Sequence, residues 1–531
     1  MQQPQPIFVA GGLAVLLAGG FVATRSLLAA GPDQDFEIME ATIPEVEEAF
    51  AEARLTCRQL VEGYLARIAA YDQVGPRLNT VQYLNPRALQ QADSLDAVHR
   101  REGPAGSLHC VPILLKDQVE TRDMPTSFGS ALFEDWVPPH DATIVQKLRD
   151  EGAIILAKST MGEFASRYVG SAHGIIRNAY DPTRNPSGSS GGTAAGVAAN
   201  FGLVGIGEDT AGSVRGPAAV HALVGLRPTL PLVSRAGMMP ANPSQDTMGP
   251  ITRSVVDAAL VLDVIAGYDP EDPITARSVG LLPETYAAGL TTDGLRGIRI
   301  GVIRAPQWQE EPGADDFVRV RSVFNRAVLD LERLGAMVLD PVEIEDFTDL
   351  VAASMDNPYE TEEATDAYLA AHPGAPYATL SDILLTGRVN PWRAQGMVGV
   401  LNRSTDDPGY LEVLKSRKEL RSAVLQAMAD HGLDALIYPT FSHEPAVIGS
   451  DVETSPEPAD EYAKGDRRSL SPAIGFPALT VPAGFTSAGL PVGLEFLARP
   501  FEEGLLFRLG YAYEQGTRHR RPPETTPPLD S

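Results

Sequence analysis

The spacing of apolar positions changes repeatedly along this chain, and each change marks an element. Thr56-Cys-Arg-Gln59 reads as a capping box, and Leu60, Tyr64 and Ile68 then fall on one face of a helix. Asn79 to Leu84 predicts a strand, and Ile113-Leu114-Leu115 is a short apolar run of the kind that forms a buried strand. Asp141 to Glu151 predicts a helix and Ala153 to Ala157 a strand. Thr193 to Ala199 predicts a helix of small residues, which packs closely against its neighbours. Buried strands are expected at Leu203 to Gly207, Ile298 to Val302 and Ala435 to Pro439, and a helix from Ala314 to Leu334. Helix and strand patterns alternate, which argues for an α/β fold. The Pro/Asp/Gly-rich stretch from about Gly267 to Gly294 reads as connecting loop, and Ile344 to Leu433 as helical and polar. The Pro-rich tail after Arg518 is expected to be irregular or loosely held.

One apolar run obeys neither period. Ile7 to Ala23 is interrupted only by glycines, and these 17 residues are slightly fewer than the roughly 20 of a comfortable bilayer span. They exceed the usual signal-peptide core of about 7–15 residues, and no Lys or Arg precedes them. Three readings stay open: a buried core helix, an export signal cleaved near Ala30, or a retained membrane anchor. Residues 1–35 are treated as this N-terminal segment and 36–531 as the folded domain, exported to periplasm or medium or held at a membrane through residues 7–23.

Composition narrows the partners. The net charge is −26, from 43 Lys+Arg against 69 Asp+Glu, with no basic run in the body of the chain. A basic surface for nucleic acid is therefore not expected. The nine histidines are scattered without metal-ligand spacing, and no metal or cofactor is expected. The two cysteines, Cys57 and Cys110, allow one disulfide by arithmetic alone.

Candidate chemistry lies in two small-residue turns and one lysine. The first turn, Gly188-Ser-Ser-Gly-Gly192, offers Ser189 to a second serine or Ser190 as a nucleophile elbow of the Gly-x-Ser-x-Gly kind. The second, Asp209-Thr-Ala-Gly-Ser213, follows a buried strand. The N–H groups of Thr210, Ala211, Gly212 and Ser213 can form an anion-binding nest there, which is what a tetrahedral oxyanion requires. Arg215 is read as pairing with Asp209 to hold that turn. Lys116 ends the apolar run Val111-Pro-Ile-Leu-Leu. Burial there favours the neutral amine, a base; the alternative is a lysine paired with Asp117 or snorkelling to the surface.

Together these residues resemble the amidase signature family. Its pattern matches here at Ser187-Gly-Ser-Ser-Gly-Gly192, Gly207-Glu-Asp-Thr-Ala-Gly-Ser-Val-Arg-Gly-Pro-Ala218 and Gly225-Leu-Arg-Pro-Thr229. The serine spacing, 213 − 189 = 24, is the family's. The match extends to Leu108–Asp117, Asp246–Asp257 and Gly475–Pro482, and covers about Ile43 to Pro523. The resemblance implies one large α/β domain around a mixed sheet, with helices on both faces, rather than the three or four domains that length suggests. It implies Ser213 as nucleophile, Ser189 as a bridging serine on a cis peptide bond, and Lys116 as terminal base. The oxyanion would rest on the N–H groups of residues 210–213. Supporting roles fall to Ser190, Asp209 and Arg215.

The chain departs from the pattern at Ser187, Ala211, Arg227 and Cys110. It also departs at Glu208, where Thr is common and where a negative charge is added near the oxyanion. The region 344–433 matches the family least and is expected to cover the active site and shape the pocket. Ser234–Pro240, Tyr511–Gln515 and Arg520–Pro523 look most like bacterial peptide amidases and generic amidases. The implied substrates are small-molecule or peptide amides, including C-terminal and aryl amides. Three rivals remain. One is the ammonia-releasing subunit of a tRNA-dependent amidotransferase, which works within a complex. Another is an α/β-hydrolase esterase using Ser190 with His443 or another histidine. The last is a non-catalytic protein on the same fold.

Overall fold

The computed structural model describes residues 36–529. The apolar stretch 7–23 lies outside them. Among the described residues no helix is long and apolar enough to cross a membrane.

Thr56 opens its helix as its sequence predicts. Its side chain accepts from the Gln59 N–H, and Gln59 accepts back from the Thr56 N–H, so two orphan amides are satisfied. The helix Cys57–Tyr71 buries Leu60, Tyr64 and Ile68. Elsewhere the boundaries shift for local reasons. The strand expected from Asn79 begins at Val81, because Asn79 adopts φ +58°, outside the extended region. The strand expected to end at Ala157 runs as Ile154–Ser159, since Lys158 and Ser159 are buried as well. The Lys158 ammonium is held there by Thr126 Oγ1 at 2.7 Å.

Eleven strands form one sheet: Val81–Leu84 (β1), Pro112–Lys116 (β2), Ile154–Ser159 (β3), Val204–Asp209 (β4), Val224–Arg227 (β5), Thr247–Thr252 (β6), Arg299–Val302 (β7), Met337–Leu339 (β8), Ala435–Pro439 (β9), Ala478–Phe485 (β10) and Pro491–Leu497 (β11). Their spatial order is β1-β3-β2-β4-β6-β5-β10-β11-β9-β7-β8. β2 runs parallel to both β3 and β4, and β7 to both β8 and β9, while the centre from β4 to β9 is antiparallel. The sheet is therefore mixed, as expected.

Helices cover both faces, which the alternation of β10 makes visible. Thr480 packs toward Gly225 and the helix Arg215–Ala219, whereas Leu479 and Val481 meet Gly510 of the helix Glu503–Thr517. The stretch 267–294 contains only two short 3-10 turns, Pro273–Ser278 and Ala287–Gly289. Between Phe347 and Asp430 lie five helices, of which Phe347–Met355 packs on Pro408–Asp430 through Val351, Leu420, Val424 and Met428.

Two features go beyond the sequence reading. The tail after Arg518 is irregular, as expected, and its backbone is held in place. The buried Arg67 guanidinium donates to Thr526 O at 2.8 Å and Pro527 O at 3.0 Å, and Arg520 grips Glu40 through two 2.7 Å contacts. A buried guanidinium needs acceptors, and the tail supplies them as backbone carbonyls. The second feature is a disulfide between Cys57 and Cys110, 53 residues apart, which spacing alone did not reveal. It ties the first turn of the helix Cys57–Tyr71 to the segment that enters β2.

The disulfide generates a prediction. Chain-entropy arithmetic for a loop of that length gives up to about 4 kcal/mol of stabilisation. Replacing both cysteines by serine should lower the urea midpoint and Tm while leaving the far-UV circular dichroism of the folded state at 25 °C unchanged. Coincident unfolding curves for the oxidised wild type and the double variant would contradict this.

Candidate active site

The parallel register of β2 and β4 pairs Leu115 with Ile206, so Lys116 emerges beside Glu208 where both strands end. In open α/β sheets the C-terminal ends of parallel strands are where sites form. Lys116 is fully buried. Its Nζ lies 2.7 Å from Ser189 Oγ, 2.8 Å from Glu208 Oε2 and 3.2 Å from Glu208 O. Burial pulls the amine below the usual lysine range, although the Glu208 carboxylate pulls the other way. The alternative pairing with Asp117 does not occur. Asp117 accepts instead from Ser127 and the Gly129 N–H.

Ser189 sits in the first turn, and the Gly188–Ser189 peptide bond is cis. The turn is packed too tightly for side chains. A Cβ on Gly188 would come 1.7 Å from Arg167 O, and one on Gly192 would come 2.4 Å from Thr160 O. The Ser190 N–H donates to Ser213 O at 3.3 Å, which ties the two turns together. Arg468 ties them a second time, since its Nη1 donates to Gly188 O at 3.3 Å and to Gly212 O at 3.0 Å. Ser213 is 9% exposed and lines a cleft of about 330 Å³ with Gly188, Thr210, Ala211, Arg393 and Arg468. Ser213 is the serine of the pair that faces space a ligand can enter.

The second turn is organised by Asp209. Its carboxylate accepts from the Gly212 N–H at 2.6 Å and the Val214 N–H at 3.2 Å. It also meets Arg215 Nε at 3.1 Å and Arg227 Nη1 at 3.4 Å. Burial alone would raise its pKa, but the two guanidiniums hold it well below the usual carboxylate range. Arg215 also bonds Glu495, so two buried carboxylates face two buried guanidiniums. Because the Gly212 N–H is engaged by Asp209, the free donors of the expected nest are the amides of Thr210, Ala211 and Ser213, which have no partner among the described residues.

The esterase alternative finds no support in the geometry. Ser190 is fully buried and its hydroxyl bonds the Glu208 backbone at 3.3 and 3.4 Å. His443 is bonded to Asp316 at 2.9 Å and to the Glu311 N–H at 3.0 Å, not to Ser190.

Several site residues carried no recognisable signal in the sequence. Arg393, from the helix Pro391–Val398, donates to Phe164 O at 2.9 Å, and burial pulls its guanidinium down to about 10. Beside it an apolar recess is lined by Phe128, Met161, Met239, Leu380 and Met397. Among the described residues no group of His, Cys, Asp and Glu side chains could hold a metal ion.

A mixed sheet carrying a buried lysine–serine contact at the edge of a cleft fits an enzyme that hydrolyses amides, and the comparisons with known proteins agree. The family model described as Amidase matches residues 59–507. This chain belongs to the amidase signature family. It is 33% identical over 515 residues to a protein of Arabidopsis thaliana named as a probable amidase, covering 92% of each. It is 34% identical over 502 residues to a glutamyl-tRNA(Gln) amidotransferase subunit of Desulforudis audaxviator, covering 92% of this chain and 98% of that one. Among solved structures, the native peptide amidase of Stenotrophomonas maltophilia superposes with a TM-score of 0.81 at 36% identity, over 92% of this chain and 99% of that one.

The Asp209 cluster yields a prediction. Asp209→Asn leaves an uncompensated buried guanidinium, and breaking such a pair costs about 3–5 kcal/mol. A depressed carboxylate contributes stability above its unfolded value of about 3.9, and that contribution is lost as pH falls toward the folded value. Urea unfolding should therefore show a lower stability for Asp209→Asn at pH 7, and a gap from wild type that closes in acid. A constant gap down to about pH 2 would show that the charge of Asp209 is not its source.

Proposed function

We propose that this enzyme cleaves amide bonds through an acyl intermediate on Ser213, with Ser189 as proton shuttle and Lys116 as base. The observation that carries the reading is the fully buried 2.7 Å contact between Lys116 Nζ and Ser189 Oγ. A neutral amine there takes the Ser189 proton, and Ser189 takes that of Ser213. Ser213 Oγ then attacks the amide carbonyl. The developing oxyanion is met by the free N–H groups of Thr210, Ala211 and Ser213, in a turn that Asp209 holds in shape before the reaction. The proton returns through Ser189 to the departing amine. Water then hydrolyses the ester, with the same groups acting in reverse.

For substrate, we favour C-terminal amides of peptides and aryl amides. The cleft supports this choice, since Arg393 lines it and can donate to a peptide carbonyl. The likeness to the Stenotrophomonas maltophilia peptide amidase points the same way. A second reading, the amidotransferase component that releases ammonia from an amide, rests on relatives at a similar identity. Purified protein assayed alone on peptide amides, anilides and glutamine separates the two. Turnover of glutamine only, and only with added partner proteins, would favour the second.

We also propose that the protein works in an oxidising compartment, by export or by anchorage through residues 7–23. The supports are that apolar stretch and the Cys57–Cys110 bridge, since disulfides persist in oxidising compartments. Cell fractionation with thiol labelling tests it; reduced protein confined to the cytosol would refute it.

The mechanism sets two kinetic expectations. Ser213→Ala should lose amide turnover and covalent labelling by a serine-directed phosphonate while keeping its fold. Residual activity within about tenfold, or under 1.4 kcal/mol of transition-state stabilisation, would overturn the assignment. Because Lys116 acts as the deprotonated form, kcat/KM should rise with pH through its lowered pKa and then level off. Lys116→Ala should lose several orders of magnitude on an amide and less on the matched ester, whose leaving group needs less protonation. A flat wild-type profile from about pH 6 to 9, with equal losses on both substrates, would refute the lysine base.

A further inference from the structure

Glu208 stands where the family pattern commonly has Thr, and its carboxylate occupies the space beside the base. Oε2 meets Lys116 Nζ at 2.8 Å and Oε1 meets Thr210 Oγ1 at 2.6 Å. The same Thr210 oxygen lies 2.8 Å from Asp246 Oδ1. Lys116, Glu208 and Asp246 are all fully buried.

Proton counting limits what this chain of contacts can be. A threonine hydroxyl carries one proton and can donate to only one of two carboxylates. The other oxygen–oxygen contact needs a proton of its own, which must come from a carboxyl group. The pair Glu208 and Asp246 therefore holds at least one proton of its own. Burial and the facing Glu208 push Asp246 up to about 7, which agrees with the count.

The amine has three contacts, and Glu208 provides two of them. A neutral amine has two N–H bonds and one lone pair. With its N–H bonds on Glu208 Oε2 and Glu208 O, the lone pair faces Ser189 Oγ. We propose that Glu208 is a positioning residue for the base: as half of a buried carboxyl pair with Asp246, bridged by Thr210, it aims the Lys116 lone pair at Ser189 and sets the pH above which the base is active. This rests on the lysine-base reading above. When Ser189 gives up its proton, its O–H bond breaks and an N–H bond forms on Lys116. The new ammonium then lies against the Glu208 carboxylate.

The other charges around the cluster are accounted for. Asp209 ends the same strand but engages Arg215 and Arg227. Arg227, on β5, is the nearby cation and is also bonded to Asp209 O and Gln245 O. On β3, Lys158 is turned to Thr126 and Asp117. The helix Gly191–Ala198 and strand β6 carry no titratable side chain.

Glu208→Gln keeps the shape and an acceptor but removes the charge that favours the ammonium. Lys116 then loses its proton at lower pH, so the acidic limb of kcat/KM should move down by about one unit or more. The plateau kcat should stay within about tenfold of wild type. Glu208→Ala removes the side-chain acceptor too, so the limb should move the same way and the plateau should fall at least tenfold below that of Glu208→Gln. Glu208→Thr, which restores the common family residue, gives the same test of the limb should Glu208→Gln fail to fold. Difference infrared spectra at pH 6 should show a protonated-carboxyl band that Asp246→Asn removes. An unmoved limb in the uncharged variants, equal plateaus for Gln and Ala, or no such band would overturn the proposal. A flat wild-type profile would instead refute the lysine base itself, so the two failures are distinguishable.

Discussion

The burial of one amine governs this site. Lys116 ends a strand fully shielded from solvent, and desolvation disfavours an ammonium by several pKa units in a fully buried position. A protein accepts such a residue only if hydrogen-bond partners surround it. Here they are Ser189 on one side and the backbone and side chain of Glu208 on the other. The position therefore demands three elements at once: the end of β2, the end of the parallel strand β4, and the turn bearing Ser189. The sheet order that sets β2 beside β4, and the glycines that let the turn approach, serve that one contact.

Holding the contact requires a second cluster, because both turns are backbone structures with few side chains of their own. Asp209 fixes the Gly212 and Val214 amides, and Arg468 spans both turns through Gly188 O and Gly212 O. A cationic side chain reaching two carbonyls from outside does what a hydrophobic core cannot do for glycine-rich loops. It also explains why glycine is needed at 212, where φ is +101° and a Cβ would come 2.5 Å from the Arg468 side chain.

Much of this was legible in the sequence because it is local. The capping box at Thr56, the apolar run into Lys116, the two small-residue turns and the Asp209–Arg215 pair are all written within a few residues of one another. The strands were visible for the same reason, and Ala435–Pro439 has the bounds its apolar run predicts. What the sequence hid depends on partners far along the chain. Arg468 lies 256 residues from the carbonyl of Gly212 that it holds, and Arg67 lies 459 from Thr526. The Cys57–Cys110 bridge was one arithmetic possibility until β2 and the helix before it were placed. Glu208 was visible only as a departure from a pattern; its direction needed the strand.

That direction resolves the difficulty of an extra carboxylate near an oxyanion. Glu208 and Asp209 are adjacent on one strand, so their side chains leave on opposite faces of the sheet. One acid meets the lysine and the other meets two arginines. Asp209 holds the Gly212 and Val214 amides of the turn, and its negative charge is matched by guanidiniums. Glu208 lies against Lys116 and Thr210, where an amine that has gained a proton would face its charge. Exchanging the two would put the unmatched acid against the turn, and the alternation of the strand is what prevents it. A single extended backbone thereby sends two adjacent carboxylates to separate partners, a lysine on one face and two arginines on the other.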